Sequence, residues 1–134
     1  MTDARLIRTV AAVIRDAAGR VLLVRKRGTT AFMQPGGKIE ANEQPVHALA
    51  RELEEELGLV IDPAHATFLG QFSAPAANEP GFTVQAELFQ VRIDVPVTPA
   101  AEIEEVIAFA PHLHFQDFCP DPGNPFFRFR PGCG

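Results

Sequence analysis

Three glutamates, Glu52, Glu55 and Glu56, lie in the stretch RELEEEL of a 134-residue chain. On a helix of 3.6 residues per turn they stand at i, i+3 and i+4, so their carboxylates share one face. Carboxylates about 5 Å apart repel by about 3 kcal/mol at an effective dielectric of 20, which favours a cation between them. A few hard oxygen ligands suit Mg²⁺, or Mn²⁺ as an alternative, better than Zn²⁺. The spacing predicts a divalent-metal site, and the alternative is a solvated acidic helix face.

The residues around these glutamates predict a helix from about 43 to 57. Apolar residues recur beside the acidic stripe at core-facing spacing: Val46, Leu49, Ala50, Leu53 and Leu57. Asn42 is the predicted N-cap, which places Glu43 in the first turn, and Gly58 is predicted to end the helix. Ala48, one turn before Glu52, is small and is predicted to leave room for a ligand.

Two glycines precede the helix. Gly36 and Gly37 follow Pro35, and this order predicts a tight turn whose backbone can approach a ligand closely. A loop, a helix and a loop with defined ends would therefore hold the three carboxylates. This context favours the metal site over the solvated face.

The fixed residues from Gly37 to Leu59 follow the pattern G-x5-E-x7-R-E-U-x-E-E-x-G-U, where U is aliphatic. The pattern resembles the signature of the Nudix (MutT-like) hydrolases, which use Mg²⁺ to split diphosphate linkages attached to a nucleoside. The resemblance implies an enzyme that acts on acid anhydrides in phosphorus-containing compounds. It also implies the α/β/α sandwich of that family, an α/β (α+β) fold built around a mixed β-sheet.

The same resemblance implies the metal ligands. They are the carboxylates of Glu52, Glu55 and Glu56 and the main-chain carbonyl of Gly37. Glu52 is also the leading candidate for the general base. A carboxylate that is fully occupied as a ligand cannot act freely as a base, so a glutamate of the later stretch AEIEEV is the alternative, with Glu102 preferred over Glu104 and Glu105.

Four further residues of the motif are expected to have structural roles: Glu43, Arg51, Gly36 and Gly58. Arg51 and Glu43 would pair and orient the helix and the loop. Five other residues are candidates for substrate contacts: Arg25, Arg27, Phe32, Lys38 and Pro75. The cations would bind phosphates, and Phe32 would shape a base pocket or pack in the core.

The substrate prediction rests on Pro75. ADP-ribose pyrophosphatases of the family tend to carry a proline sixteen residues past the motif, where Pro75 stands, and this favours ADP-ribose or another nucleoside diphosphate sugar. A house-cleaning (d)NTP pyrophosphatase is the alternative. A non-catalytic nucleotide-sensing domain is the alternative of another class, although such domains often lose the carboxylates that this chain keeps.

Outside the motif, strands are predicted at 5–15, 21–27, 67–73, 82–93 and 103–110. The tail 111–134 contains five prolines and three glycines, so it is predicted to be largely irregular, with at most one helical turn near 112–118. Residues 1–134 are expected to form a single domain.

The composition of the chain argues against two classes of binding partner. A net charge of −5 argues against a nucleic-acid polymer, and no apolar run approaches a membrane span. The N-terminus lacks a signal-peptide core, and the two cysteines have no metal-ligand spacing, so a cytoplasmic protein with free thiols is expected. The expected partner is a small nucleotide, and the resemblance also allows a homodimer.

Overall fold

The computed structural model describes residues 5–76, 79–109, 118–121 and 124–131. In chain order the elements are β1 (Leu6–Arg15), β2 (Val21–Lys26), β3 (Phe32–Met33), β4 (Gly36–Lys38), α1 (Pro45–Leu57), β5 (Thr67–Pro75), β6 (Thr83–Arg92), β7 (Ile103–Phe109), β8 (Phe118–Asp121) and β9 (Asn124–Pro131). A short 3-10 helix, Pro63–His65, follows α1. The structure confirms the five predicted strands and the helix within a few residues at each end.

The strands form one mixed sheet. Its path is β5-β6-β1-β2-β3-β9-β8, with β4 added to β1 and β7 added to β2. The pairing of β1 with β6 is parallel, and β1 pairs antiparallel with both β2 and β4. The predicted α+β fold with a mixed sheet is confirmed. No described helix is long and apolar enough to cross a membrane.

Helix α1 packs on one face of this sheet. The shared core includes these buried residues of the strands and the helix: Val10, Ala12, Ile14, Leu22, Val24, Leu49, Leu53, Leu57, Phe89 and Val91. Ala48 is fully buried in the same cluster. The prediction that Ala48 leaves room for a ligand is therefore wrong, because the helix is rotated so that this position faces the sheet.

The helix begins later than predicted. It starts at Pro45, its N-cap is Gln44, and no side chain caps it. Asn42 adopts a left-handed conformation with φ 65°, so it lies in a turn before the helix and is not the N-cap. Glu43 consequently lies outside the first turn. Proline explains the shift, since its fixed φ and missing N–H suit the first helical position.

The end of the helix is as predicted. Gly58 adopts the left-handed conformation with φ 63°, and its N–H donates to the carbonyl oxygen of Glu54 at 3.0 Å. Leu59 then enters the core at 4% exposure. Glycine is favoured here because a side chain would strain this backbone conformation.

The tail differs from its prediction. Its described residues form the strands β8 and β9, which pair with each other, and β9 also pairs with β3. The prediction of an irregular tail gave the prolines too much weight, because strands tolerate proline at their ends and at sheet edges, and the phenylalanines of this stretch favour strands. Most of the predicted helical turn near 112–118 falls in 110–117, outside the described residues, and Phe118 begins a strand.

Candidate active site

The turn before α1 is fixed by its pairing with β1. Gly36 and Gly37 pair with Ala11 and Val10, and the N–H of Ala12 donates to the carbonyl oxygen of Pro35 at 3.0 Å. Gly36 has φ 153°, and a Cβ at this position would lie 2.8 Å from the Cα of Ala11. Only glycine fits here, because any side chain would collide with the backbone of β1.

Glu52 of α1 lies directly against this turn. A Cβ added to Gly37 would lie 2.6 Å from Cδ of Glu52 and 2.7 Å from its Oε1. The missing side chain of Gly37 is therefore the space in which the carboxylate sits. The backbone of Gly37 and the carboxylate of Glu52 are therefore close neighbours.

Glu56, one turn further along α1, is buried beside Glu52. It is only 8% exposed, and its Oε1 accepts a hydrogen bond from the backbone N–H of Gly36 at 3.4 Å. Burial, then the charge of Glu52 and a hydrogen bond with Glu52, raise the pKa of Glu56 to about 8, while the N–H of Gly36 and the charge of Lys26 oppose the rise. Without a cation, Glu56 is therefore protonated at neutral pH and can donate a hydrogen bond to Glu52.

Arg51 holds Glu52 from the other side. Its Nη1 donates to Oε2 of Glu52 at 2.8 Å, and its Nη2 donates to the carbonyl oxygen of Lys38 at 3.1 Å. The same guanidinium donates twice to Glu43, from Nε and Nη2, each at 2.9 Å. These bonds hold the pKa of Glu43 down at about 2, and the hydrogen bond from Arg51 is the main cause. The predicted structural pair of Arg51 and Glu43 thus ties α1 to the loop after β4.

Glu55 does not join the buried pair. Its side chain is 56% exposed, and its Oε2 lies 3.8 Å from Nη1 of Arg51. Within the described ranges, no set of three or more His, Cys, Asp or Glu side chains is gathered closely enough to hold a metal. The structure brings together Glu52, Glu56 and the glycine turn, and a third ligand from Glu55 would require its side chain to rotate.

This arrangement fits the divalent cation that the family implies. The donors are two carboxylates and the backbone beside Gly37, all hard oxygen ligands of the kind that Mg²⁺ binds. Burial of Glu56, and then repulsion from the charge of Glu52 beside it, raise the pKa of Glu56. A cation relieves that repulsion, so the residues that would hold it are Glu52, Glu56, Gly37 and, after rotation, Glu55.

Glu102 lies in the turn before β7, near the end of β2. Its carbonyl oxygen accepts from the N–H of Arg27 at 2.8 Å, and its side chain is exposed. The N–H of Ala100 donates to the carbonyl oxygen of Glu56 at 2.9 Å, so the backbone before Glu102 runs beside the last turns of α1. Glu102 as the alternative base stays a prediction.

The two arginines proposed for phosphate binding have carboxylate partners. Nε of Arg25 donates to Glu105 at 2.9 Å, and Nε of Arg27 donates to Glu104 at 3.3 Å. A bulge in the pairing of β2 with β7 brings the two acidic residues alongside the two arginines. Arg25 also donates to the carbonyl oxygen of Thr29 at 2.8 Å. A phosphate would have to displace these carboxylates, so the substrate role of both arginines stays a prediction.

The other predicted substrate contacts lie on different strands. Lys38 is exposed and pairs with Thr9 at the end of β4, directly after the glycine turn. Phe32 pairs with Arg25 and is half-buried. Pro75 is exposed at the end of β5 and pairs with Thr83, whose neighbour in β1 is Leu6. The register therefore places Pro75 several residues along the sheet from Gly37, away from the carboxylate pair.

Sequence reasoning missed Lys26. Its charge acts on Glu56, and it follows Leu22 and Val24, two core residues that face α1, at alternate positions of β2. Side chains alternate along a strand, so Lys26 is directed to the helix side of the sheet. That alternation was visible in the sequence VLLVRK and could have identified Lys26 as the cation on the side of the glutamates.

Known proteins are similar to a large part of this chain. A model of the NUDIX domain family matches residues 5–125. The 8-oxo-dGTP diphosphatase of Haemophilus influenzae is 39% identical over 77 residues, covering 54% of this chain and 57% of that protein. The RNA pyrophosphohydrolase of Halorhodospira halophila is 46% identical over 61 residues, covering 46% of this chain and 33% of that protein. The matched region is thus about half, or less, of each of these relatives.

The fold agrees as well. The crystal structure of a MutT NUDIX hydrolase from Burkholderia pseudomallei superposes with a TM-score of 0.69 at 25% identity, covering 80% of this chain and 84% of that chain.

The Arg51 network predicts a specific acid sensitivity. Replacement of Arg51 by lysine keeps the charge but removes the planar fork that reaches Glu43, Glu52 and Lys38 together. The lowered pKa of Glu43 contributes stability above about pH 4.5, and this stability is lost as the pH falls towards about 2. In Arg51→Lys the acid-unfolding midpoint, followed by circular dichroism, therefore moves to higher pH. The matched control Arg27→Lys, at an exposed pair with Glu104, leaves it nearly unchanged, and equal midpoints for all three proteins would refute the network.

The raised pKa of Glu56 predicts that stability changes with pH in the opposite direction, at higher pH values. Its raised pKa means that the metal-free folded protein binds a proton that the unfolded chain releases, so stability falls as the pH rises from about 4.5 to about 8. Glu56→Gln imitates the protonated form and removes this loss. In EDTA, its Tm should equal that of the wild type near pH 5 and exceed it by several degrees at pH 8.5. A lower Tm at both pH values would contradict the protonation of Glu56.

Proposed function

Because the chain belongs to the NUDIX family, we propose that it is a Mg²⁺-dependent pyrophosphohydrolase that cleaves a diphosphate linkage of a nucleoside 5′-triphosphate. The carrying observation is the pair of Glu52 and Glu56, held against a turn in which Gly36 and Gly37 leave no space for side chains. The name of one relative, an 8-oxo-dGTP diphosphatase, favours a triphosphate substrate.

Each side chain has a role in this hydrolysis. A divalent cation, when bound, supplies charge neutralisation for the phosphates and makes the attacked phosphorus more electrophilic. Glu52, oriented by Arg51, accepts the proton of the attacking water. The oxygen of that water forms the new bond to phosphorus while the bridging P–O bond breaks, and the leaving phosphate carries away the electron pair.

The surrounding cations stabilise the negative charge of the substrate. Lys38 follows the glycine turn and is exposed, and Lys26 lies on the side of Glu56. Neither forms a side-chain ion pair within 4 Å among the described residues, in contrast to Arg25 and Arg27. These two lysines are therefore better placed than the arginines to meet a phosphate without first losing a partner.

ADP-ribose, or another nucleoside diphosphate sugar, is the second candidate. The observation that favours it is the position of Pro75, sixteen residues past the motif. Pro75 ends β5 and pairs with Thr83, so it could contact only a part of the substrate remote from the cleaved linkage. This placement is why we put the triphosphate first.

The test is hydrolysis of a panel that contains dNTPs, NTPs and ADP-ribose with Mg²⁺. Glu52→Gln should lower kcat by about a hundredfold or more, which is the usual loss of a general base. Glu55→Gln should mainly raise the Mg²⁺ concentration that is needed for half-maximal activity. Glu54→Gln is the matched control, since Glu54 is an exposed glutamate of the same helix that faces away from the pair.

Three outcomes decide between the candidates. Turnover of triphosphates that Glu52→Gln abolishes and Glu54→Gln preserves supports the proposal. Preferred turnover of ADP-ribose would support the second candidate, a nucleoside diphosphate sugar substrate, in place of the triphosphate. Binding of nucleotides without turnover of any of them would indicate the non-catalytic sensing domain.

A further inference from the structure

Among the described residues, one buried side-chain atom has no hydrogen-bond partner. The side-chain oxygen Oε1 of Gln34 is buried and accepts no hydrogen bond. A buried carbonyl oxygen without a donor is destabilising, and most such atoms in native proteins are satisfied. Gln34 stands directly before Pro35, Gly36 and Gly37, the turn that lies against the carboxylates. An acceptor at this place, beside the turn, is a candidate for a hydrogen bond from a bound ligand.

Two independent registers place Gln34 on the sheet face opposite α1. Met33 pairs with Val24 and packs against the core on the helix side, so the next residue is directed to the other face. From the β1 side, Gly36 pairs with Ala11, and continuing that register brings Gln34 beside Val13. Val13 and Leu23, the neighbours on β1 and β2, have apolar side chains without donors.

The same face carries other groups that suit a nucleotide. Phe32, two residues before Gln34, is half-buried on this face and offers an aromatic ring. Lys38 lies four residues after Gln34 and pairs with Thr9, which is also directed to this face. At about 3.3 Å per residue the row from Gln34 to Lys38 spans about 13 Å. A nucleoside triphosphate can extend over this length, with its base at one end and its phosphates at the other.

We propose that Gln34 is a base-recognition residue whose Oε1 accepts a hydrogen bond from an N–H group on the edge of the nucleobase. This inference rests on the proposed function, because it assumes that the phosphates extend from Lys38 past the edge of β4, which pairs with β1 alone among the described strands, to the carboxylate pair on the helix side. Phe32 provides the apolar surface beside the base, and Gln34 selects the base by the position of its N–H donor. A base that presents an acceptor at this position leaves two buried acceptors facing each other and is rejected.

The experiment compares the wild type with Gln34→Met and Gln34→Glu. Methionine keeps the length of the side chain and removes the acceptor, whereas glutamate keeps an acceptor oxygen. Steady-state hydrolysis of dGTP, dATP, dCTP and dTTP with Mg²⁺ gives KM and kcat for each, and thermal unfolding without nucleotide gives Tm. The matched control is Gln71→Met, at an exposed glutamine of β5.

The expected result has three parts. In Gln34→Met, KM for the preferred nucleotide rises about three- to tenfold while kcat changes little, which is the effect of losing one hydrogen bond to the substrate. The preference among the four bases narrows, and Gln34→Glu retains it better. The Tm of Gln34→Met is equal to or above that of the wild type, because removing an unsatisfied buried acceptor removes its cost.

Two results would overturn the inference. Unchanged base preference in Gln34→Met shows that Gln34 does not contact the base. A lower Tm, with KM raised equally for all four nucleotides, shows that the protein itself or a water satisfies the oxygen. If the wild type hydrolyses none of them, the proposed function fails instead, and calorimetric binding of the same nucleotides in Ca²⁺ still tests Gln34.

Discussion

Two carboxylates that repel each other, Glu52 and Glu56, are held together because α1 is anchored in the core on one side and meets a glycine turn on the other. The anchoring residues Leu49, Leu53 and Leu57 are fully buried, so the helix cannot rotate away to separate the charges. Gly36 pairs with β1 too closely for any side chain, so the turn cannot retreat either. Burial on both sides leaves protonation or a cation as the ways to relieve the repulsion. The packing of the helix and the turn thus holds the two carboxylates in an arrangement that favours binding of a divalent ion.

The charges around the pair are distributed unequally. Arg51 neutralises Glu52 directly and fixes its orientation, but it forms no hydrogen bond with Glu56. The ionised form of Glu56 is favoured only by the N–H of Gly36 and by the more distant charge of Lys26. The two neighbouring glutamates consequently differ in chemistry, since Glu52 is ion-paired and Glu56 retains a proton. Glu52 is therefore suited to act as a base, and Glu56 is suited to act mainly as a ligand.

Much of this site could be predicted from the sequence, because the motif joins local spacing to local conformation. The helix, its end at Gly58, the pairing of Arg51 with Glu43 and the contact between Gly37 and Glu52 all lie within 23 consecutive residues, 37 to 59. Other features depend on contacts between distant parts of the chain. The partners Glu104 and Glu105 of the arginines come from a bulge of β7, and the burial of Glu56 depends on the rotation of α1. The start of the helix was misjudged because Pro45 competes with the capping preference of Asn42, and the tail because its prolines concealed a strand pattern.

The release of protons on Mg²⁺ binding reports most directly on the state of Glu56. If Glu56 is protonated in the metal-free protein, binding of Mg²⁺ to its carboxylate must displace that proton. Calorimetric titrations of Mg²⁺ at pH 6.5, in buffers of different ionisation enthalpy, measure the number of protons released. The predicted release is close to one per site, falling towards zero above the pKa of about 8 and absent in Glu56→Gln. A release near zero at pH 6.5 in the wild type, with Mg²⁺ still bound, would contradict the account.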